Sequence, residues 1–140
     1  MKLIVIGHGM VGHKFLECIA AEAGATGAPQ VTVLGEEPRP AYDRVHLSEF
    51  FAGKSADDLS LVEPGFFERH PQFDLRLNAP VASIDRAAHT VTPASGETLA
   101  YDKLVLATGS RPFVPPMPGH DRDGCFVYRT IEDLEAMQAC

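Results

Sequence analysis

The sequence predicts an α/β fold, a doubly wound parallel sheet that carries an inserted three-stranded antiparallel β-meander. Three observations predict it. Leu3-Ile4-Val5-Ile6 is a short apolar run rich in β-branched residues, followed at once by a glycine-punctuated turn and a helical pattern. Val31-Thr32-Val33-Leu34 and Lys103-Leu104-Val105-Leu106-Ala107 are further runs of strand length. Between these two, residues 79–101 break into short stretches split by turn residues. Strand, turn, helix, strand, meander, strand is the order of a nucleotide-binding sheet, with its crevice at the carboxyl ends of the strands.

The first helix is expected over about 10–23, with Val11, Phe15, Leu16, Ile19 and Ala20 on its apolar face. Gly24, Gly27 and Pro29 end it and lead into the second strand. Pro38 and Pro40 then break the chain. In 41–51, Asp43 is expected to cap a helix, and Val45, Leu47, Phe50 and Phe51 supply its apolar anchors. Residues 64–70 read as a short helix with Pro64 in its first turn, and 73–77 as a third parallel strand. The meander is expected as strands at 81–85, 89–92 and 98–101, reversing at Ala87-Ala88 and Ala94-Ser95-Gly96. After 103–107 come Thr108-Gly109-Ser110-Arg111-Pro112, a proline-rich loop to Pro118, and a short strand at Cys125-Phe126-Val127. The last element is a helix with Thr130 as N-cap and Glu132 and Asp133 in its first turn.

The first turn carries the chemistry. Gly7-His8-Gly9-Met10-Val11-Gly12 has the spacing G-x-G-x-x-G between a strand and a helix. Gly7 allows the tight turn, Gly9 lets a pyrophosphate approach the backbone, and Gly12 lets the helix pack on the strand. The helix start at Met10 and Val11 offers N–H groups and a partial positive charge to phosphates. The acidic pair Glu36-Glu37 follows the second strand, and Glu36 stands 24 positions after Gly12. That is close to the ~20 positions expected of a carboxylate that binds ribose hydroxyls. Glu36 is the first candidate because it comes directly after Gly35, and Glu37 is its neighbour. The competing reading is a structural glycine turn with solvated acids.

The bulk composition narrows the rest. The 140 residues suit one domain, and 45% apolar with 22% charged residues is ordinary for a globular protein. A net charge of −7 argues against nucleic-acid and anionic-membrane partners. No apolar run approaches the ~18 residues of a membrane span. The first strand begins at Leu3, which leaves no room for a signal or transit peptide, so a cytoplasmic location is expected. Cys18, Cys125 and Cys140 are odd in number and lack C-x-x-C spacing, which argues against a disulfide framework, zinc or iron–sulfur site in this chain. The six histidines show no metal-ligand spacing, and each is expected on the surface or in a loop.

The glycine motif alone fits NAD and FAD equally. Together with Glu36, the meander and Ala107-Thr108-Gly109 at a strand end, it resembles the FAD-binding part of the pyridine-nucleotide-dependent flavoprotein reductases. The fold implied is a Rossmann-like, partial FAD/NAD(P)-binding domain. More narrowly, residues 5–13, 36–39, 41–48 and 128–134 resemble the large subunits of assimilatory NAD(P)H nitrite reductases. This implies that Gly7, Gly9 and Gly12 hold the FAD pyrophosphate and that Glu36 accepts hydrogen bonds from the adenosine ribose. Arg44 would lie near the pyrophosphate or flavin, Val81 would meet the adenine through its backbone, and Thr108, Gly109 and Arg111 would close over the cofactor. Arg44 as a surface cation and Val81 as plain core are the alternatives. The domain organisation implied is 1–128 as FAD-binding portion and 129–140 as a helix leading to a further NAD(P)H domain. Sirohaem and an iron–sulfur cluster would belong to the rest of such a parent chain. By itself the chain is expected to hold FAD weakly or through its ADP half, to catalyse nothing, and to self-associate through an exposed sheet edge.

Two departures from the resemblance matter. Many relatives carry a redox cysteine pair after the second strand, but 41–51 contains no cysteine, which excludes a dithiol–disulfide mechanism. Others place a lysine beside the flavin after Leu-Ser, where Glu49 stands here. Two other function classes stand beside the flavoprotein reading. A short-chain dehydrogenase would need Tyr-x-x-x-Lys, but Tyr42, Tyr101 and Tyr128 are followed by His46, Val105 and Glu132. A non-catalytic dinucleotide-binding module would use the same fold.

Overall fold

A computed structural model describes residues 1–22 and 29–140. Within it the chain forms two compact units, Met1–Ala41 with Leu61–Gly109, and Tyr42–Ser60 with Ser110–Cys140.

The first unit is built on a four-stranded parallel sheet in the order β3-β2-β1-β7. Its strands are β1 (Lys2–Ile6), β2 (Gln30–Leu34), β3 (Phe73–Arg76) and β7 (Lys103–Leu106). β1 is central, with Ile6 level with Leu34 on one side and Leu106 on the other. Its apolar run is continuous because both faces of the sheet are covered. Leu3, Val5, Val31 and Val33 pack with Leu16 of helix α1 (Met10–Glu22), Phe66 of α2 (Phe66–Arg69) and Phe73. Ile4, Ile6 and Leu34 point the other way and pack with Val91 of the meander. The meander is a separate sheet, β4 (Val81–Asp85), β5 (Thr90–Pro93) and β6 (Leu99–Ala100), in that order. A Rossmann-like parallel sheet with an antiparallel three-stranded addition is therefore the observed fold, as expected. The two sets of alternate residues on β1 give each covering layer its own core.

The second unit closes around Tyr42, Leu47, Leu59, Ile131 and Leu134. Helix α3 (Ile131–Ala139) starts with a reciprocal cap: Thr130 Oγ1 accepts from the Asp133 N–H and Asp133 Oδ2 accepts from the Thr130 N–H. The expected N-cap and acidic first turn are both present.

Several expectations are corrected. Val11 is 74% exposed and does not share the apolar face of α1. The buried residues there are Gly12, His13 and Leu16, and a 3.6-residue period turns position 11 well away from that stripe. Residues 125–127 form no strand: a succession of turns over 117–124 precedes them, and no described strand lies alongside to supply hydrogen bonds. Asp43 caps a turn and not a helix. Its Oδ1 accepts from the Val45 and His46 N–H groups, while the helical segment that follows is a short 3-10 helix, Leu47–Phe50, capped by His46 without a side-chain bond. Pro64 lies outside α2, because Gly65 enters the left-handed region (φ 74°) just before the helix. The end expected for α1 at Ala23, with Gly24 and Gly27, lies outside the described residues.

Candidate functional site

The carboxyl edge of the sheet is where the predicted residues of the first unit meet. β1 runs straight into Gly7, whose N–H donates to the Leu34 carbonyl at the end of β2 (2.8 Å). On the other side, the Ala107 N–H donates to the Ile6 carbonyl (2.8 Å), so Ala107, Thr108 and Gly109 leave β7 beside the glycine turn. Gly7 has φ 104°, and a Cβ there would lie 2.2 Å from the Ala107 oxygen. A Cβ on Gly12 would lie 2.3 Å from the Gly7 oxygen. Both glycines are therefore demanded by backbone packing. Gly9 differs, because a Cβ there would meet nothing within 4 Å. Its open side leaves a ligand room to touch the backbone, which is the fit expected of a pyrophosphate cradle.

The helix adds polarity to that opening. The first intrahelical bond of α1 runs from the His13 N–H to the Gly9 carbonyl (2.9 Å), so the Met10, Val11 and Gly12 amides precede the helical ladder. Val11 at 74% and Leu106 at 63% exposure leave apolar surface bare at the same edge.

Glu36 is exposed and Glu37 half-buried, one and two residues past the buried Gly35. Their loop is tied on the β3 side: the Gly35 N–H donates to the Arg76 carbonyl (2.9 Å), Ala79 N–H to Gly35 (2.8 Å) and Asn78 N–H to Glu37 (3.1 Å). Val81, at the start of β4, packs its half-buried side chain beside Ile4, Ile6 and Leu34.

Arg44 and Arg111 lie in the second unit. Arg44 stacks its guanidinium 4.8 Å from the Tyr42 ring centre and donates to the Arg129 carbonyl (3.0 Å). It is a held side chain and not a loose surface cation. Arg111 is exposed. Among the described residues no cluster of three His, Cys, Asp or Glu side chains could hold a metal ion, and no helix is long and apolar enough to cross a membrane. All three cysteines are exposed free thiols.

Two residues escaped the sequence reasoning. His8 and His13 were expected at the surface, yet they are 8% and 3% exposed. Their rings meet edge to face at 5.5 Å, and His8 approaches Phe67 while His13 approaches Phe66. Burial, and then repulsion from His13, lowers the His8 pKa to about 4. Burial also lowers that of His13, with Glu17 pulling it partly back. Both are neutral near pH 7. The helical period was the available signal for His13, since positions 13, 16 and 20 share one face. For His8 the signal was its place between two glycines at the end of a strand covered on both faces.

A family profile described as "Pyridine nucleotide-disulphide oxidoreductase" matches residues 1–139. The chain is 55% identical over 138 residues to the nitrite reductase [NAD(P)H] large subunit of Klebsiella oxytoca, covering 98% of this chain and 14% of that protein. It is 46% identical over 140 residues to the nitrite reductase (NADH) large subunit of Escherichia coli (strain K12), covering 100% of this chain and 16% of that protein. The chain thus spans about one-seventh of the length of these relatives. Among solved structures, it superposes on a NAD-dependent persulfide reductase from A. fulgidus with TM-score 0.86 and 27% identity, over 99% of this chain and 27% of that one. On NADH:rubredoxin oxidoreductase from Clostridium acetobutylicum the TM-score is 0.82 at 27% identity, over 99% of this chain and 35% of that one.

Proposed function

The chain belongs to the pyridine nucleotide-disulphide oxidoreductase family, and from that premise we propose that it is the FAD-binding portion of an NAD(P)H-dependent electron-transfer flavoprotein of the nitrite reductase large-subunit kind. The observation that carries the reading is Gly9: alone of the three motif glycines it has no packing reason to lack a side chain, and it opens onto space. FAD, when bound, supplies hydride acceptance and electron release. The chain's own residues bind and orient it. The Met10, Val11 and Gly12 amides and the α1 dipole face the pyrophosphate, and Glu36 accepts from the ribose hydroxyls. The Val81 backbone meets the adenine, and Thr108 and Gly109 border the cofactor. No thiol–disulfide step is included, since 41–51 lacks cysteine.

In this reading the NAD(P)H, sirohaem and iron–sulfur groups belong to the rest of a longer cytoplasmic parent, and 129–140 leads towards it. The coverage supports that view: nearly all of this chain matches a small part of each relative. A rubredoxin or ferredoxin reductase is the second reading, favoured by the fit to the Clostridium acetobutylicum enzyme but at half the sequence identity of the first relative.

Calorimetry with FAD, NAD and ADP tests the proposal. FAD and ADP are expected to bind the chain better than NAD, and Glu36→Gln to weaken both by about tenfold, the loss of one charged hydrogen-bond acceptor. Preference for NAD, or indifference to Glu36→Gln, overturns it. The visible spectrum of the purified chain is expected to show little retained flavin. Tightly held stoichiometric flavin would refute the expectation of weak binding.

A further inference from the structure

We propose that His8 is the positioning residue of the acidic loop: its ring captures the Ala41 N–H and so fixes 35–41, with Glu36, against the glycine turn. The inference rests on the dinucleotide reading above for its functional consequence, and on geometry alone for the clamp itself. The Ala41 N–H donates to His8 Nδ1 at 3.1 Å, across 33 residues of sequence, in a buried setting. An amide donor requires a bare acceptor nitrogen, so Nδ1 carries no proton and Nε2 carries it. The same ring is braced by Phe67 at 5.8 Å and by His13 at 5.5 Å, and its Cβ lies 3.4 Å from where a Cβ on Gly35 would be. The loop is thus gripped twice. Arg76, Asn78 and Ala79 hold its first residues, and His8 holds its last.

The other nitrogen strengthens the argument. His8 Nε2 is buried and has no hydrogen-bond partner among the described residues. An unsatisfied buried donor is unfavourable, and an apolar side chain would avoid it. A histidine here therefore makes sense through what Nδ1 does. Because Glu36 sits between the two grips, the backbone that carries its side chain is held relative to the glycine turn. Ordering that loop before binding lowers the entropic cost that a ligand would otherwise meet.

The test uses the 140-residue chain with ADP as probe. His8→Leu keeps an apolar bulk but removes the acceptor, whereas His8→Asn offers a side-chain oxygen near the place of Nδ1. Exchange of the Ala41 amide with solvent, read by NMR, is expected to quicken at least tenfold in His8→Leu and to stay slow in His8→Asn. ADP affinity is expected to fall about tenfold in His8→Leu and to recover to within about threefold in His8→Asn. Combining His8→Leu with Glu36→Gln should cost less than the two losses multiplied, because His8 acts through Glu36. An unchanged Ala41 amide in folded His8→Leu overturns the clamp, and multiplicative losses overturn its action through Glu36. If the unaltered chain binds no ADP, the dinucleotide reading falls, while the Ala41 amide still decides for or against the clamp. Should His8→Leu fail to fold, His8→Asn decides alone: a fast Ala41 amide in that variant contradicts the clamp, and a slow one supports it.

Discussion

A side-chain carbon placed on Gly7 would sit 2.2 Å from the carbonyl oxygen of Ala107, which joins the first turn of the chain to the strand end a hundred residues later. Gly7→Ala therefore forces two backbones apart and also strains a φ of 104°. A loss of about 2–4 kcal/mol is expected. Gly12→Ala, blocked by the Gly7 oxygen at 2.3 Å, should behave alike. Gly9→Ala meets nothing within 4 Å and should cost about 1 kcal/mol or less, while weakening ADP binding. Urea denaturation beside calorimetry checks the contrast. Equal stability losses at all three positions would contradict it.

Acid should destabilise the first unit through His8. Its folded-state pKa is lowered to about 4 from an ordinary 6.5, so the unfolded chain binds the proton first as the pH falls. Stability is then full above about 6.5 and declines between about 6.5 and 4, by on the order of 3 kcal/mol if this group acts alone. His13, also lowered by burial, acts in the same direction. Denaturation curves at several pH values should show His8→Asn with a shallower decline than the unaltered chain. Parallel declines would show that His8 is not the group responsible.

In the second unit, Asp43 Oδ2 lies 2.6 Å from His46 Nδ1. That hydrogen bond raises the His46 pKa above its ordinary value and lowers that of Asp43. The His46 contribution is present below about 6.5 and is lost as the pH rises through its raised value, while the Asp43 contribution is lost on acidification through its lowered value. Both groups reach solvent, so the energy is small and the titration is the better readout. NMR should give a His46 midpoint above that of a free histidine, and Asp43→Asn should return it towards about 6.5. No movement in Asp43→Asn would show that the pair is absent in solution.

The start of α3 rests on two side chains. Thr130→Ala removes the acceptor for the Asp133 N–H, and a loss of about 1 kcal/mol is expected. Asp133→Ala should cost as much or more, because its Oδ2 accepts from both Arg129 and Thr130. Leu134→Ala, in a fully buried position, should cost about 2–5 kcal/mol. Thermal melts followed by circular dichroism check the order, and a Thr130→Ala loss as large as that of Leu134→Ala would contradict it.

The sequence by itself determined the parallel sheet, the glycine turn, the acid beyond the second strand and the capped last helix. Each of these is written in neighbouring residues: a run, a spacing or a cap acts over one or two turns of backbone, and Gly12 against the Gly7 oxygen and Thr130 against the Asp133 N–H behave as those local rules require. The tertiary structure alone decided what lies far apart in the chain. It gave Ile4 and Ile6 a meander to pack on, and buried His8 by setting Ala41 and Phe67 around it. It also drew Tyr42, Leu47 and Leu59 into one core with Ile131 and Leu134. Short-range pattern cannot register such pairings, because burial depends on which distant surface arrives to exclude water.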